Sequence, residues 1–194
     1  MRLPTCPPLR WRSARTPACP LEVFSTLENL MPNNKELLEY RARLLARTRQ
    51  AAVEFCAVCR AVSDIFAPLE PGGWNTHQIA AHVRDVHEQV YGLRLRRTAN
   101  ENTPTFANFD ADEWLKNSYQ PAESLAEILS ALQYGINELV DWLSTLPIES
   151  WNRVSRHEVL GEVALQAWAE YGLAHIEEHL QSITSSHLPR AKTE

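Results

Sequence analysis

This sequence of 194 residues has few cysteines, no excess of positive charge and no long hydrophobic run. No apolar run approaches the roughly 20 residues that a membrane-spanning helix needs, so a transmembrane protein is excluded. The net charge of -5 argues against a nucleic-acid partner held by a basic face. Four cysteines are too few for a disulfide scaffold. We therefore expect a cytoplasmic protein with one main domain and neither a nucleic-acid nor a membrane partner.

The first 30 residues differ from the rest of the chain. They contain five prolines, four arginines and no acidic residue before Glu22. They also lack the run of about 7 to 15 apolar residues that a secretory signal needs. We predict a disordered extension over 1–30, a bundle domain over 31–188 and a short tail over 189–194. Because Met31 could itself start the chain, the sequence leaves open whether the extension belongs to the native protein.

Proline is absent from four long windows, 33–67, 72–103, 122–146 and 148–188. Since interior proline breaks helices, each window is expected to hold one amphipathic helix. Useful β-alternation is also missing, although the stretch 153–160 could be extended. The sequence therefore predicts an all-α fold, a four-helix bundle.

Local signals locate the helix starts. Helix 2 has the best-defined start, because Asn75 can cap it and Gln78 completes a capping box. Helix 3 is predicted to open at Pro121, since proline is favoured at the first helical position. Helix 4 is predicted to span about Glu162 to Ser186.

The connection between helices 2 and 3 is unusually long. It comprises about 20 residues, Thr98–Gln120, which is more than an antiparallel hairpin needs. Such a length suits a crossover that makes helices 2 and 3 parallel, giving an up-down-down-up order. A short helix is predicted inside it at Asp110–Asn117.

Three of the seven histidines are predicted to point into the bundle. At 100° per residue, His175 and His179 lie one turn apart on the inward face of helix 4. His82 flanks the inward stripe of helix 2. The remaining histidines are predicted to point elsewhere: His77, His87, His157 and His187.

These three residues favour a metal centre. A single core histidine is usually satisfied by a carbonyl or a carboxylate, so one alone would indicate little. A histidine pair spaced i,i+4 can bind one ion, and a third histidine from a neighbouring helix completes the set. Three protein ligands with an open position are typical of a catalytic rather than a structural site. We predict a divalent ion held by His82, His175 and His179.

Two sharper motifs are rejected. The segment beginning at His175 is not the H-E-x-x-H motif of zinc proteases, because Ile176 follows the first histidine. Glu177 falls on the opposite helix face and cannot act as a base beside the ion. Cys56 and Cys59 form a C-x-x-C without the βαβ context of redox sites, so we interpret them as core residues.

A basic cluster ends helix 2. Arg94, Arg96 and Arg97 favour the helix dipole there, which predicts a solvated helix end. The alternative is an anion site for a charged cosubstrate.

Several segments together resemble a known family. The segment Trp74–Asp85 resembles the helix-2 signature of the DinB-like superfamily, in which a tryptophan stands eight residues before a metal-binding histidine. His175 and His179 match the family's C-terminal pair of ligands. Phe109 and Trp114 resemble the crossover of the second DinB-like subgroup. The resemblance covers about residues 37–183.

The resemblance implies a four-helix bundle with a divalent ion, often zinc or nickel, on three histidines. Several family members are thiol S-transferases that use bacillithiol, mycothiol or glutathione. One position departs from the family, because His87 stands where an acidic residue is expected. The resemblance identifies no catalytic residue.

We therefore hypothesise a metal-dependent thiol S-transferase, or a related isomerase or hydrolase, that acts on a small-molecule substrate. A low-molecular-weight thiol would be its cosubstrate. The alternatives are a non-catalytic metal-binding stress-response protein and a plain helical bundle. Whether the chain forms a homodimer is left open.

Overall fold

The computed structural model describes residues 34–187. The predicted extension over 1–30 and the predicted tail over 189–194 lie outside these residues. The described chain contains six α-helices and three short strands, in the order α1 (Asn34–Ala61), α2 (Thr76–Val86), α3 (Leu93–Asn100), β1 (Thr105–Phe106), α4 (Ala111–Asn117), α5 (Leu125–Ser144), β2 (Val154–His157), β3 (Gly161–Ala164) and α6 (Leu165–His187). A π-helical segment, His87–Gly92, joins α2 to α3 without a break, and a 3-10 turn covers Ile148–Asn152.

Four helical bodies form the bundle, as predicted. They are α1, the continuous arm from α2 through the π-helical segment to α3, α5 and α6. Helix α1 packs against α5 and α6, and α2 packs against the same two helices. The long connection after α3 is the predicted crossover, and it carries the predicted short helix α4 with Asp110 as its N-cap.

The start of α2 forms as its sequence predicts. The Asn75 side chain accepts a hydrogen bond from the Gln78 backbone N–H at 2.8 Å. The Gln78 side-chain oxygen accepts one in return from the Asn75 backbone N–H at 2.9 Å. This capping box satisfies two N–H groups at the helix end and fixes the orientation of the face that carries His82.

Helix α5 begins later than predicted. It starts at Leu125 rather than at Pro121, because the Ser124 hydroxyl caps it by accepting from the Glu127 N–H at 3.1 Å. A serine cap satisfies a free helix N–H, which a proline at the first position cannot do. Residues 121–123 belong to the crossover instead.

The prediction for the start of the last helix was wrong. Residues Gly161–Ala164 form β3, which pairs antiparallel with β2, and α6 begins only at Leu165. Strand β1 from the crossover pairs parallel with β2, so the three strands form a small sheet in the order β1-β2-β3. Gly161 has a φ of +74°, which glycine adopts without strain, and it closes the tight turn. The sheet ties the crossover to the base of α6.

Cys56 and Cys59 lie in the core, which agrees with their interpretation as core residues. Both are fully buried and free. The Cys56 thiol donates weakly to the Leu129 carbonyl across the α1–α5 interface, at 3.7 Å. Burial raises the pKa of Cys59 to about 12, so this thiol is not a ready nucleophile.

Two members of the basic cluster, Arg94 and Arg97, have partners at the crossover and so do not form a free anion site. Arg94 is buried, donates to the Ala107 carbonyl at 2.7 Å and lies over the Trp168 ring at 4.7 Å. Arg97 pairs with Glu101 through two hydrogen bonds. The prediction of a solvated helix end was therefore wrong for Arg94, because the crossover and its sheet cover that face.

Among residues 34–187, no helix combines the length and apolar character that crossing a membrane requires.

Candidate metal centre

Three histidine side chains meet between α2 and α6. The Nε2 atom of His175 lies 3.2 Å from Nε2 of His82 and 3.2 Å from Nε2 of His179. One ligand atom from each residue lies within 4.8 Å of the other two. The structure thus brings together all three residues that the sequence singled out.

The spacing of these nitrogens fits a metal ion. Bonds of about 2.0 to 2.1 Å to a tetrahedral ion place two ligand nitrogens about 3.3 Å apart. Within residues 34–187, the Nδ1 atoms of His82 and His175 have no hydrogen-bond partner, so they can carry the ring protons while the Nε2 lone pairs converge. Three imidazoles suit zinc or nickel. No carboxylate or thiol of the described residues joins the cluster, so a coordination position is left for a ligand.

All three imidazoles are held neutral. Burial, followed by the nearby His179, lowers the pKa of His82 to about 3. Burial lowers the pKa of His179 to about 4, and burial with the neighbouring imidazoles lowers that of His175 well below its ordinary value. A neutral imidazole is the form that binds metal, so near pH 7 no proton has to be displaced from a ligand nitrogen.

Aromatic rings enclose His82. Trp74 meets its ring edge-on at 4.9 Å between centroids, Trp114 lies at 5.2 Å and Phe109 at 5.7 Å. The crossover supplies Phe109 and Trp114, which were suggested only by the family resemblance. Apolar walls exclude water from one side of the ligand cluster and strengthen electrostatic interactions inside it.

A polar network holds this aromatic wall. The Trp114 indole N–H donates to the Asp85 carboxylate at 3.0 Å, and Arg84 donates to the other oxygen of Asp85 at 2.8 Å. Arg84 also pairs with Glu123, which lies just before α5. Because Asp85 follows His82 on α2, the network fixes the crossover beside the first ligand.

The π-helical segment was not predicted, and it places Tyr91 beside the cluster. The Tyr91 ring lies 5.6 Å from that of His175. Gly172 on α6 packs against it, because a Cβ there would lie 3.6 Å from the Tyr91 ring, which is an ordinary van der Waals distance. Burial raises the pKa of Tyr91 to about 12, so its hydroxyl stays protonated. Gly92 is the residue in the sequence that is consistent with this π-helical segment, because a Cβ at position 92 would lie 3.1 Å from the His87 carbonyl oxygen, which is a tight contact.

The other four histidines were predicted to point elsewhere than into the bundle, but three of them are not exposed to solvent. His77, His87 and His157 are all buried. His157 accepts hydrogen bonds at Nδ1 from the backbone N–H groups of Val159 and Leu160, which stabilises the β2–β3 turn. The side chain of His187 lies outside the described part of the structure.

His77 holds the crossover to α2. Its Nε2–H donates to the Glu123 carbonyl at 2.8 Å, and its Nδ1 accepts from the Tyr119 hydroxyl at 2.8 Å. A carbonyl oxygen only accepts, so the neutral ring carries its proton on Nε2. Both ring nitrogens are therefore satisfied, and His77 has a structural role.

The variant His77→Phe is expected to lower the free energy of unfolding by about 1 to 3 kcal/mol, because it leaves the Glu123 carbonyl and the Tyr119 hydroxyl without their partner. Its metal content is expected to equal that of the wild type, since His77 is not in the ligand cluster. Urea unfolding and elemental analysis measure both quantities. Wild-type stability would contradict the structural role of His77.

Glu177 lies apart from the cluster, as expected. Its carboxylate pairs with Arg47 on α1, at 2.7 Å. Glu177 therefore stabilises the packing of α1 against α6.

Comparison with known proteins supports these observations. The family model of the DinB superfamily matches residues 44–183. A protein of Bacillus cereus named "Putative metal-dependent hydrolase" is 28% identical over 120 residues, which are 61% of this chain and 67% of the relative. A protein of Bacillus thuringiensis with the same description matches to the same extent.

A solved structure has the same fold. YfiT from Bacillus subtilis, described as a probable metal-dependent hydrolase with an unusual four-helix bundle topology, matches with a TM-score of 0.69 at 20% identity. The match covers 84% of this chain and 91% of YfiT. The predicted bundle is thereby confirmed. Because the family model spans most of the sequence and includes the whole histidine cluster, the chain belongs to the DinB superfamily.

Proposed function

We propose that this protein is a metal-dependent thiol S-transferase acting on a small-molecule electrophile. His82, His175 and His179 would hold one divalent ion, zinc or nickel. The observation that carries the proposal is the convergence of three neutral imidazoles with no fourth protein ligand among the described residues. Such a set leaves a coordination position for a substrate or cosubstrate.

The absence of a carboxylate from the ligand cluster of the described residues favours a thiol over water as the nucleophile. Hydrolysis at a metal usually uses a carboxylate as general base, as in the H-E-x-x-H enzymes. Here no carboxylate of residues 34–187 joins the cluster, and Glu177 is paired with Arg47. When bound by these histidines, a divalent ion would supply Lewis acidity that lowers the pKa of a coordinating thiol, whose proton would pass to solvent, so no carboxylate base would be required.

The protein's own residues would position the reactants. The three imidazoles stay neutral and keep their Nε2 lone pairs directed at one point. Trp74, Phe109 and Trp114 present apolar surface on one side of His82, which suits an uncharged electrophile and excludes water. The ring of Tyr91 packs beside that of His175, and its hydroxyl stays protonated because burial raises its pKa to about 12.

Hydrolysis is the second candidate. It is favoured by the names of the Bacillus relatives, which describe metal-dependent hydrolases. The same coordination position would then bind water, and a bound ion lowers the pKa of water towards 7.

Metal-loaded protein is expected to form an S-conjugate from a low-molecular-weight thiol and monochlorobimane, with glutathione, bacillithiol and mycothiol tested in turn. The variant His175→Ala should lower this rate at least about 100-fold, because it removes the central ligand of the cluster. The double variant Gln181→Ala, Ser182→Ala, which changes two exposed residues of the same helix, serves as the matched control and should retain the rate.

Two other outcomes would contradict the transferase proposal. Hydrolysis of a p-nitrophenyl ester that needs His175 but no thiol would identify the hydrolase. Full metal loading without turnover of either substrate would indicate a non-catalytic metal-binding protein.

A further inference from the structure

His87 is an enclosed polar side chain that the proposed chemistry does not use. It is the first residue of the π-helical segment, which packs against both α5 and α6. Only 4% of the residue is exposed, and its two ring nitrogens have neither appreciable accessible surface nor a hydrogen-bond partner among residues 34–187. Buried polar groups are almost always hydrogen-bonded, so an imidazole with two free nitrogens calls for a partner.

A further enclosed nitrogen without a partner belongs to the ligand His175. The Nε2 atom of this residue lies in the cluster, 3.2 Å from Nε2 of His82, so Nδ1 lies on the other side of the ring. This Nδ1 atom also lacks appreciable accessible surface and a hydrogen-bond partner within the described residues. A metal-ligating histidine almost always donates its other ring N–H to an outer partner, which fixes the tautomer and the orientation of the ring. An outer partner is therefore expected for His175.

The arm formed by α2, the π-helical segment and α3 brings His87 close to His175. The arm contacts the His175 ring on both sides of this position, through His82 before it and through the Tyr91 ring, at 5.6 Å, after it. Tyr91 follows His87 by four residues, and side chains four apart lie on one face of a helix. Burial, followed by the neighbouring His179, His82 and His87, lowers the pKa of His175 well below its ordinary value. His87 therefore lies within electrostatic range of this ligand.

The carboxylates on neighbouring turns do not serve this nitrogen. Glu177 on α6 pairs with Arg47 at 2.7 Å, and Glu88 and Glu178 are exposed residues. None of them is a hydrogen-bond partner of the enclosed Nδ1 atom within residues 34–187. His87 is thus the enclosed side chain near the α6 ligand that has hydrogen-bonding capacity to spare.

We propose that His87 is a positioning residue for the metal ligand His175, with one enclosed water between the two rings. The Nδ1–H group of His175 donates to this water, which donates in turn to the unprotonated ring nitrogen of His87. The rings make no direct hydrogen bond to each other, and buried waters typically join groups that are otherwise unsatisfied. The link keeps Nε2 of His175 directed at the ion and raises its basicity. The inference rests on the metal site of the proposed function but not on thiol transfer.

The zinc affinity of the full-length protein, measured by competition with a chelator of known affinity, tests this role. The variant His87→Phe removes the acceptor but keeps a ring in the core, and it should raise the zinc dissociation constant at least about tenfold. The conservative variant His87→Gln keeps a side chain that donates and accepts hydrogen bonds, so its constant should stay within about threefold of the wild type. A merely structural role for His87 would not produce this rescue.

A control and a second measurement complete the test. The variant His77→Phe removes another buried histidine of the same arm, whose hydrogen-bond partners lie in the crossover, so it should lower stability without changing the zinc dissociation constant. A crystal structure of the zinc-loaded wild type requires no substitution and decides the matter if His87→Phe fails to fold. It should show one water within about 3.2 Å of both Nδ1 of His175 and a ring nitrogen of His87.

Four results would overturn the proposal. They are an unchanged zinc dissociation constant in His87→Phe, a constant in His87→Gln as weak as that of the phenylalanine variant, an equal weakening in His77→Phe, and a crystal structure in which Nδ1 of His175 bonds to another group. Each is read from zinc affinity or geometry. Wild-type protein that binds zinc as expected but transfers no thiol would instead contradict the proposed function alone, so the two failures are distinguishable.

Discussion

The double variant His175→Ala, His179→Ala is expected to retain less than about a tenth of the divalent metal that the wild-type chain carries, which should be about one ion per chain. Two of the three converging Nε2 atoms are removed, and His82 alone cannot hold an ion against exchange. Elemental analysis of protein purified without a histidine tag measures the content directly.

A matched control changes two exposed residues of the same helix. The double variant Gln181→Ala, Ser182→Ala introduces the same side chain on α6, away from the cluster, and should keep the full metal content. Stoichiometric metal in the variant lacking His175 and His179 would mean that other residues bind the ion.

The second large effect concerns pH. The folded chain keeps its clustered histidines neutral, with a pKa of about 3 for His82 and about 4 for His179. The unfolded chain takes up protons as the pH falls through about 6.5. The folded-state values are depressed, so the stability associated with the neutral form is present above about pH 6.5 and is lost as the pH falls towards them.

Chelator-treated protein is therefore expected to lose melting temperature steadily from about pH 7.5 to about pH 5. The gap between metal-loaded and metal-free protein should change little over that range, because the folded histidines bind few protons there and protons compete weakly with the ion. The gap should narrow only below about pH 4.5. Narrowing already between about pH 7 and 6 would show that the folded histidines titrate near their ordinary value.

The alanine double variant provides the control for this linkage. Without His175 and His179, unfolding takes up two protons fewer at low pH. The free energy of unfolding of the metal-free variant should fall less steeply below about pH 6.5 than that of the wild type, by up to about 2.7 kcal/mol per pH unit. Urea unfolding of both proteins across this range measures the slopes, and equal slopes would contradict the buried neutral cluster.

The bundle itself could be predicted because its signals are local. Proline-free windows mark the helices, and the capping box of Asn75 and Gln78 fixes one start to the residue. The strand β3 was missed, because four residues, Gly161–Ala164, are too few for a period of two to be told from a period of 3.6. Its pairing with β2 is a tertiary interaction that no single segment encodes.

The burial of further histidines could not be predicted from one helical stripe. Helix α2 is covered by α5, by α6 and by the crossover, so it has more than one buried face. His77 lies under the crossover, and His87 lies towards α5. The π-helical segment from His87 to Gly92 also widens the turn, so an angle of 100° per residue no longer applies beyond it.

The ligand cluster was accessible to sequence analysis because an i,i+4 pair needs only helix geometry. Assigning His82 as the third ligand required the assumption that α2 faces α6. The structure shows that it does, because Nε2 of His82 lies 3.2 Å from Nε2 of His175. The aromatic wall was suggested only by family resemblance, since Phe109 and Trp114 come from the crossover, whose path depends on long-range contacts such as that between Trp114 and Asp85.

X-ray absorption spectroscopy of the zinc-loaded protein, before and after addition of a low-molecular-weight thiol, tests the central claim most directly. Before addition, we predict three nitrogen ligands at about 2.0 to 2.1 Å and one further light atom, with no sulfur. After addition of a thiol that is used as cosubstrate, one sulfur should appear at about 2.3 Å while the three nitrogens remain. A sulfur ligand on the zinc before addition of thiol would contradict the three-histidine thiol-activating centre. So would fewer than three nitrogen ligands, or a spectrum that saturating thiol leaves unchanged.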